Sequence, residues 1–438
     1  MRKIYVLIGM CIITLLNLPN MMGQTTIEGE FRPRGEFREG FRKPLADTLN
    51  PAYITYQRTR LSVNYRSGIL NTQFTLQDSR VWGQTDTKTG TTTSVYEAWA
   101  EMLLFQGFSA TVGRQALKYD DQRIFGISNW TNAGQAHDLI LFKYKTSNFQ
   151  GHLGYAYNNI KDTLLEINYT IKQYKKLGFG WFSYDFGKGL NASALAINEG
   201  LQKITDYTKN FYRNTVGLNI VLANDSFPLG INLGGYYQFG KSNAYDTTKT
   251  ASKAVYADLE AYLLTAKISY KFFDPLQIFA GADIYSGTSY TTSNSKSYTF
   301  NKLYGTNHSF NGYMEYWSTL PKSGLKDLYF GAVSKPIKNL SAEATFHFFS
   351  TKSDVQYTNS KKQKEVLTHD LGQELDLTVQ YKLSKETSIQ AGYSVYFKNS
   401  NSEKVLKTFG AENKTPQWAY IMLTIRPQFF KSPEVKLN

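Results

Sequence analysis

The stretch from Ile27 to Arg38, IEGEFRPRGEFR, carries an ion at every even position: Glu28, Glu30, Arg32, Arg34, Glu36 and Arg38. The odd positions hold Ile27, Gly29, Phe31, Pro33, Gly35 and Phe37. A period of two is the signature of a strand with two different faces, because a helix would scatter these charges around its axis. The sheet that contains it must therefore tolerate a fully ionic face on one side and an apolar face on the other. Pro33, which has no N–H to give a ladder, is expected at a bulge or near a rim.

The amino terminus narrows the choice. Arg2 and Lys3 precede an apolar run from Ile4 to Leu18, and Gly23 stands before Gln24. This pattern predicts a secretory signal peptide over residues 1–23 and a single domain over 24–438. The only cysteine, Cys11, lies in that leader, so the exported chain would have no thiol for disulfides, metal ligation or nucleophilic catalysis. No later apolar run is long enough for a membrane helix, and the mean hydropathy is −0.39. Aromatic residues make up 15% of the chain, with 32 Tyr, 28 Phe and 33 Gly. Exported, cysteine-free and rich in Tyr, Phe and Gly describes a β-barrel of the outer membrane, whose strands need aromatic girdles at both interfaces. The pairs Trp181-Phe182, Tyr236-Tyr237, Phe272-Phe273, Phe348-Phe349 and Phe429-Phe430 suit such girdles.

Alternation recurs along the chain. Leu375, Leu377, Val379 and Tyr381 oppose Glu374, Asp376, Thr378 and Gln380, and the segments around 340–348, 388–398 and 419–426 repeat the pattern. Short breaks such as Gln106-Gly107, Ser147-Asn148, Gly187-Lys188-Gly189 and Asp274-Pro275 alternate with long ones. The prediction is an all-β, transmembrane, antiparallel up-and-down barrel of about 18 strands, with 16 as the alternative count. Short turns would face the periplasm together with both termini, and long loops the exterior, with outer-membrane lipid and lipopolysaccharide around the wall. The segment from about 288 to 324 is too long for a simple hairpin and is expected to fold into or over the pore as a constriction.

Ten of the twelve arginines after the leader fall between Arg32 and Arg123. Counting by twos places Arg32, Arg34, Arg58, Arg60 and Arg114 inward, with Glu28, Glu30, Glu97 and Glu101. An ion facing lipid at mid-depth costs about 2–4 kcal/mol, so these ions belong to the lumen. Removing Arg2 and Lys3 with the leader lowers the formal charge from +14 to +12. An arginine-lined wall would attract anionic or heavily hydroxylated solutes, since the guanidinium fork holds a carboxylate through two bonds. The same arginines and glutamates could instead only neutralise one another and brace the wall. A nucleic-acid partner is disfavoured by export and by the alternating placement of the charge.

The five histidines show no metal-ligand spacing, and no cofactor is expected. His137 and Asp138 are adjacent on a strand and point to opposite faces, which argues against a hydrolase dyad and for a protein that is not an enzyme. Asp120, Asp121 and Asp138 could hold Ca²⁺, though surface hydrogen bonding is the plainer account.

Several pieces in order resemble the alginate-export family of outer-membrane barrels, in its divergent Bacteroidota-type branch. They are Gly113-Arg114-Gln115, Tyr119-Asp120-Asp121-Gln122-Arg123, His137-Asp138 before LILFKY, Leu76 to Gly83, Glu97-Ala98-Trp99, Leu303 to His308, and Glu374 to Thr378. The resemblance covers nearly the whole exported chain. It implies an 18-stranded, arginine-rich pore that passes polyuronate, with a lumen set of Arg58, Arg60, Arg80, Arg114, Arg123, Glu97, Glu101, Asp120 and Asp138. The solute and the direction of transport stay open, as do two alternatives: a general diffusion porin or surface-binding barrel acting through its loops, and thirdly a barrel enzyme.

Overall fold

The computed structural model describes residues 23–433, apart from 86–91, 171–172, 204–205, 225–226, 247–252, 294 and 412. The leader read over residues 1–23 therefore lies outside the described residues except for Gly23. Eighteen antiparallel strands close into one barrel. In chain order they are β1 (Gln24–Glu39), β2 (Ala52–Ser67), β3 (Leu70–Val81), β4 (Thr93–Phe105), β5 (Phe108–Gln115) and β6 (His137–Lys145). Next come β7 (Phe149–Tyr157), β8 (Lys176–Gly187), β9 (Leu190–Lys203), β10 (Asp206–Asn224), β11 (Phe227–Asp246) and β12 (Lys253–Phe273). The last six are β13 (Leu276–Tyr285), β14 (Leu325–Ser334), β15 (Leu340–Thr351), β16 (Asp370–Lys382), β17 (Thr387–Phe397) and β18 (Gln417–Ile425).

Each strand pairs with its chain neighbour, and β1 closes on β18 through Arg38↔Trp418, Gly35↔Ile421, Arg34↔Met422 and Phe31↔Ile425. A continuation, Gln428–Lys431, pairs with the start of β1 and contains a register shift at Ile27/Glu28. Pro33 is at neither a bulge nor a rim. It sits mid-strand in the closing seam, where the β1–β18 ladder has no pair between Phe31 and Arg34. The missing N–H coincides with this gap in the seam ladder, and the register is the same on either side of it.

Short turns join strands at the end of the barrel where β1 begins and the continuation of β18 ends; Gly187 and Gly189 make one of them with φ of +78° and +80°. Long connections lie at the other end. The outer face is apolar: Phe74, Val112, Leu153, Leu218, Ile268, Phe330 and Ile421 are all exposed there, as lipid requires. A short helix, α1 (Ser400–Leu406), sits in the last long connection behind a capping box made by Asn399 and Ser402.

The lumen is not an open polar tube. Two long connections, 116–136 and 286–324, fold into it and form most of the buried core with the wall. They meet one another in a parallel bridge between Phe125 and Tyr304.

Candidate functional site

The first wall of the lumen is the ladder foreseen from the opening strand. In the β1–β2 register, Glu30 pairs with Arg60, Arg32 with Arg58, and Arg34 with Tyr56. Arg32 and Arg58 are thus like charges placed opposite each other, an arrangement that repels unless anions or dipoles intervene. Glu30 accepts from Arg58 at 2.6 Å and from Arg426 at 3.0 Å. Glu36 accepts from Arg34 at 2.8 Å, Arg38 at 2.9 Å and the Trp418 indole at 2.9 Å. Two carboxylates do not neutralise this many guanidinium groups, and the remainder is met by backbone dipoles of the inward connection 116–136. Arg32 donates to the carbonyls of Asn129 (2.5 Å) and Thr131 (2.9 Å), and Arg34 to that of Trp130 (2.6 Å). Arg58 reaches Asn129 at both its carbonyl (3.2 Å) and its side-chain oxygen (2.8 Å). Arg60 donates to Gln77 and to the Ala133 carbonyl, and lies over the Tyr96 ring at 3.6 Å.

Connection 116–136 is held on its other side by apolar packing. Leu117, Tyr119, Ile124 and Phe125 are buried against Leu139, Leu177, Phe179, Leu195 and Ile197, which point inward from β6, β8 and β9. Asp120 accepts from Trp181 (3.0 Å) and Ser193 (2.6 Å) on the wall. Arg123 bridges Asp121 at 2.8 Å and Asp283 of β13 at 2.6 Å. Trp130 is the joint with the second connection: the Arg34 guanidinium covers one contact at 3.9 Å and the His308 ring stacks at 4.0 Å with planes 9° apart.

Connection 286–324 crosses the lumen, as expected for this segment. Gln238 on β11 exchanges hydrogen bonds with the Asn301 backbone, and the Tyr304 hydroxyl donates to Glu199 of β9. On the far side the Met314 amide donates to Glu374 (2.7 Å), the Tyr313 amide to Asp376 (3.1 Å), and the Tyr316 hydroxyl to the Gly40 carbonyl. Within the connection, Lys302 donates to Asn311 (2.7 Å) and to the Trp317 carbonyl (2.8 Å); burial pushes its ammonium down to about 7. His308 contacts Glu315 at 2.9 Å. Burial lowers the His308 pKa below its ordinary value. Burial would raise that of Glu315, but the His308 hydrogen bond and the charge of Arg42 outweigh it and hold the carboxyl low.

The second wall is acidic, and none of its residues is among those expected in the lumen from the sequence. Asp283, Asp327, Glu374 and Asp376 are buried and face inward from β13, β14 and β16, with His347 of β15 between Asp327 (2.9 Å) and Asp376 (3.6 Å). The signal was present: Glu374 and Asp376 lie on the polar side of an alternating strand, as do the arginines of β1.

Of the residues expected in the lumen, Arg32, Arg34, Arg58, Arg60, Glu97 and Glu101 point inward from β1, β2 and β4, and Asp120 and Arg123 reach it from connection 116–136. Glu97 accepts from the Ala116 amide, and Glu101 from Ser109 (2.7 Å) and Lys143 (3.1 Å). Three residues are corrected to the outer face. Arg114 shares its side of β5 with exposed Val112, while Gln115 points in, and Arg114 pairs there with Asp138 at 2.8 Å. Arg80 shares the outer side of β3 with Phe74 and Leu76 and pairs with Asp78 at 2.7 Å. All three sit at the long-loop rim, where an outward ion costs about 0–1 kcal/mol rather than the mid-depth figure. His137 points inward and contacts the Tyr174 hydroxyl at 2.8 Å, so it does not meet Asp138. Asp120, Asp121 and Asp138 do not converge, and among the described residues no group of three His, Asp or Glu is placed to hold a metal ion.

A family model described as alginate export matches residues 24–399. Among solved structures, Pseudomonas aeruginosa OccK9 (OpdG) superposes with a TM-score of 0.59 at 12% identity, covering 92% of this chain and 98% of that one. Acinetobacter baumannii OccAB1 gives 0.58 at 13%, covering 93% and 97%. The outer membrane protein OpdK of P. aeruginosa gives 0.57 at 9%, covering 93% and 99%. At these identities the likeness is one of fold. No curated protein matches the chain by sequence.

Proposed function

Because the chain belongs to the alginate-export family and folds as an outer-membrane porin barrel, we propose that it is an outer-membrane pore for acidic saccharides of small size. The observation that carries this reading is the set of four inward arginines on β1 and β2, balanced chiefly by Glu30, Glu36 and the carbonyls of residues 129–133. A uronate carboxylate offers the same acceptors with a full charge, and its two oxygens match the guanidinium fork through paired bonds that a single carbonyl cannot make. Solute carboxylates can therefore replace those carbonyls one after another along the wall. The two inward connections restrict the path, so a monosaccharide or short oligouronate fits this arrangement better than a polymer. In this reading the leader 1–23 is removed, the short turns and both ends are periplasmic, and lipid and lipopolysaccharide surround the apolar face.

The acidic wall opposite favours a second reading, a general diffusion porin with a field across its lumen and no preferred ion. Planar-bilayer recording separates the two. The acidic-saccharide reading expects a zero-current potential of anion-selective sign in a salt gradient and current interruptions on adding oligouronate. Cation selectivity, with no response to oligouronate, would exclude it.

A further inference from the structure

Under connection 286–324, on the acidic side, lies a cavity of about 240 Å³. Successive rungs of the wall build it. Asp283 pairs with Asp327 on one rung, Gly281 with Tyr329 and His347 on the next, and Phe279 with Gly331 and Thr345 on the one nearer the short turns. The glycines hollow the wall: a Cβ on Gly281 would lie 2.4 Å from the Tyr329 ring, and one on Gly331 2.5 Å from the Phe279 ring. Phe310 and Tyr313 of the connection form the roof.

The charges around this cavity do not balance. Asp121, Asp283, Asp327, Glu343 and Asp376 line it, against Arg123, Lys267 and His347, the last held between Asp327 and Asp376. Arg123 is spent on Asp121 and Asp283, and Lys267 lies over the Phe279 ring at 4.0 Å rather than on a carboxylate. Asp283 is 1% exposed, yet its Oδ1 has no hydrogen-bond partner. The Glu343 carboxylate has no hydrogen bond to another described residue, only the charge of Lys267 in its surroundings, and is partly buried, so it is available to a solute. A buried acceptor without a donor is costly, and a deficit of positive charge beside aromatic faces suits an ammonium group. Among the described residues the carboxylates are not grouped for a metal ion, and the aromatic lining suits an organic cation.

We infer that this cavity is a binding subsite for a small solute bearing a primary ammonium group, of about monosaccharide size, held by Glu343 and Asp283 between Tyr329 and Tyr313. It is separate from the arginine wall and stands whether or not acidic saccharides use that wall. The two walls together would let one pore handle solutes of either sign.

Isothermal titration calorimetry on the purified full chain in detergent tests this without requiring conduction. Glucosamine is the probe, with N-acetylglucosamine as a neutral control of similar shape. The inference expects glucosamine to bind at least tenfold more tightly than the control, Glu343→Gln to lose about tenfold, and Lys267→Met to gain affinity by removing a competing cation. Equal binding of the two sugars, or glucosamine binding unchanged in Glu343→Gln, overturns it. If Glu343→Gln fails to give the heat-modifiable folded band, Lys267→Met decides alone: unchanged glucosamine affinity there overturns the inference.

Discussion

Replacing Trp130 by Ala removes the joint between the two inward connections while leaving the arginine–carbonyl bonds in place. The indole lies under Arg34 at 3.9 Å, stacks on His308 at 4.0 Å, and meets Tyr420 edge-on at 4.9 Å and Trp418 at 5.6 Å. Aromatic pairs contribute about 0.5–1.5 kcal/mol each beyond burial, and a partly desolvated cation–π contact about 1 kcal/mol. The sum agrees with the 3–5 kcal/mol or so typical of a large aromatic cut to Ala. Since each 1.4 kcal/mol or so is tenfold in a population, Trp130→Ala should open the joint two to three decades more often. Backbone protection reports it directly. The Gly126 amide on the Tyr304 carbonyl and the Tyr304 amide on the Ile124 carbonyl tie the connections together. Both should exchange at least a hundredfold faster, with larger single-channel conductance, while amides within β1 and β2 keep their protection. Protection of those two amides within tenfold of wild type, with unchanged conductance, would refute the idea that this stack holds the connections together.

Two other outcomes are expected. Arg80→Gln and Arg114→Gln should leave ion selectivity unchanged, because both side chains sit on the outer face, and zero-current potentials measure this. Acidification should loosen connection 286–324. His308 and Glu315 both have folded-state values below their ordinary ones, so their contribution is full above about pH 6.5 and is lost as pH falls through those lowered values. Amide exchange in 300–318 should therefore rise below that pH, and His308→Phe, which keeps the ring stack, should remove the histidine part of the effect.

The wall was legible in the sequence because one physical rule governs it. A strand between lipid and lumen alternates, and 27–38, 369–383 and 387–399 were each found within a few residues of β1, β16 and β17. What fills the lumen was less legible. The rule equates apolar with lipid-facing, but Leu139, Leu141, Leu195 and Ile197 face inward against connection 116–136. The near-continuous run Leu139-Ile140-Leu141-Phe142 is the trace this leaves, since a strand apolar on both faces is buried on both. Charges at strand ends mislead in the opposite direction: Arg114, placed inward by the count by twos, and Arg80 and Asp138, placed there by the family resemblance, escape the lipid penalty through depth rather than by facing inward. In β4 a register shift opposite Thr75 and Leu76 breaks the count by twos, so Tyr96 joins Glu97 toward the lumen. Helix α1 was missed although Asn399 and Ser402 spell its cap, because seven residues are too few for periodicity to register.

The central claim, that acidic saccharides follow the arginine wall, is tested most directly by the ratio of glucuronate to glucose permeability in liposomes carrying the purified barrel. The account predicts a ratio above one for the wild type, falling severalfold in Arg32→Gln with Arg60→Gln while glucose entry is unchanged. A wild-type ratio at or below one, or a ratio that survives loss of both arginines, would contradict it.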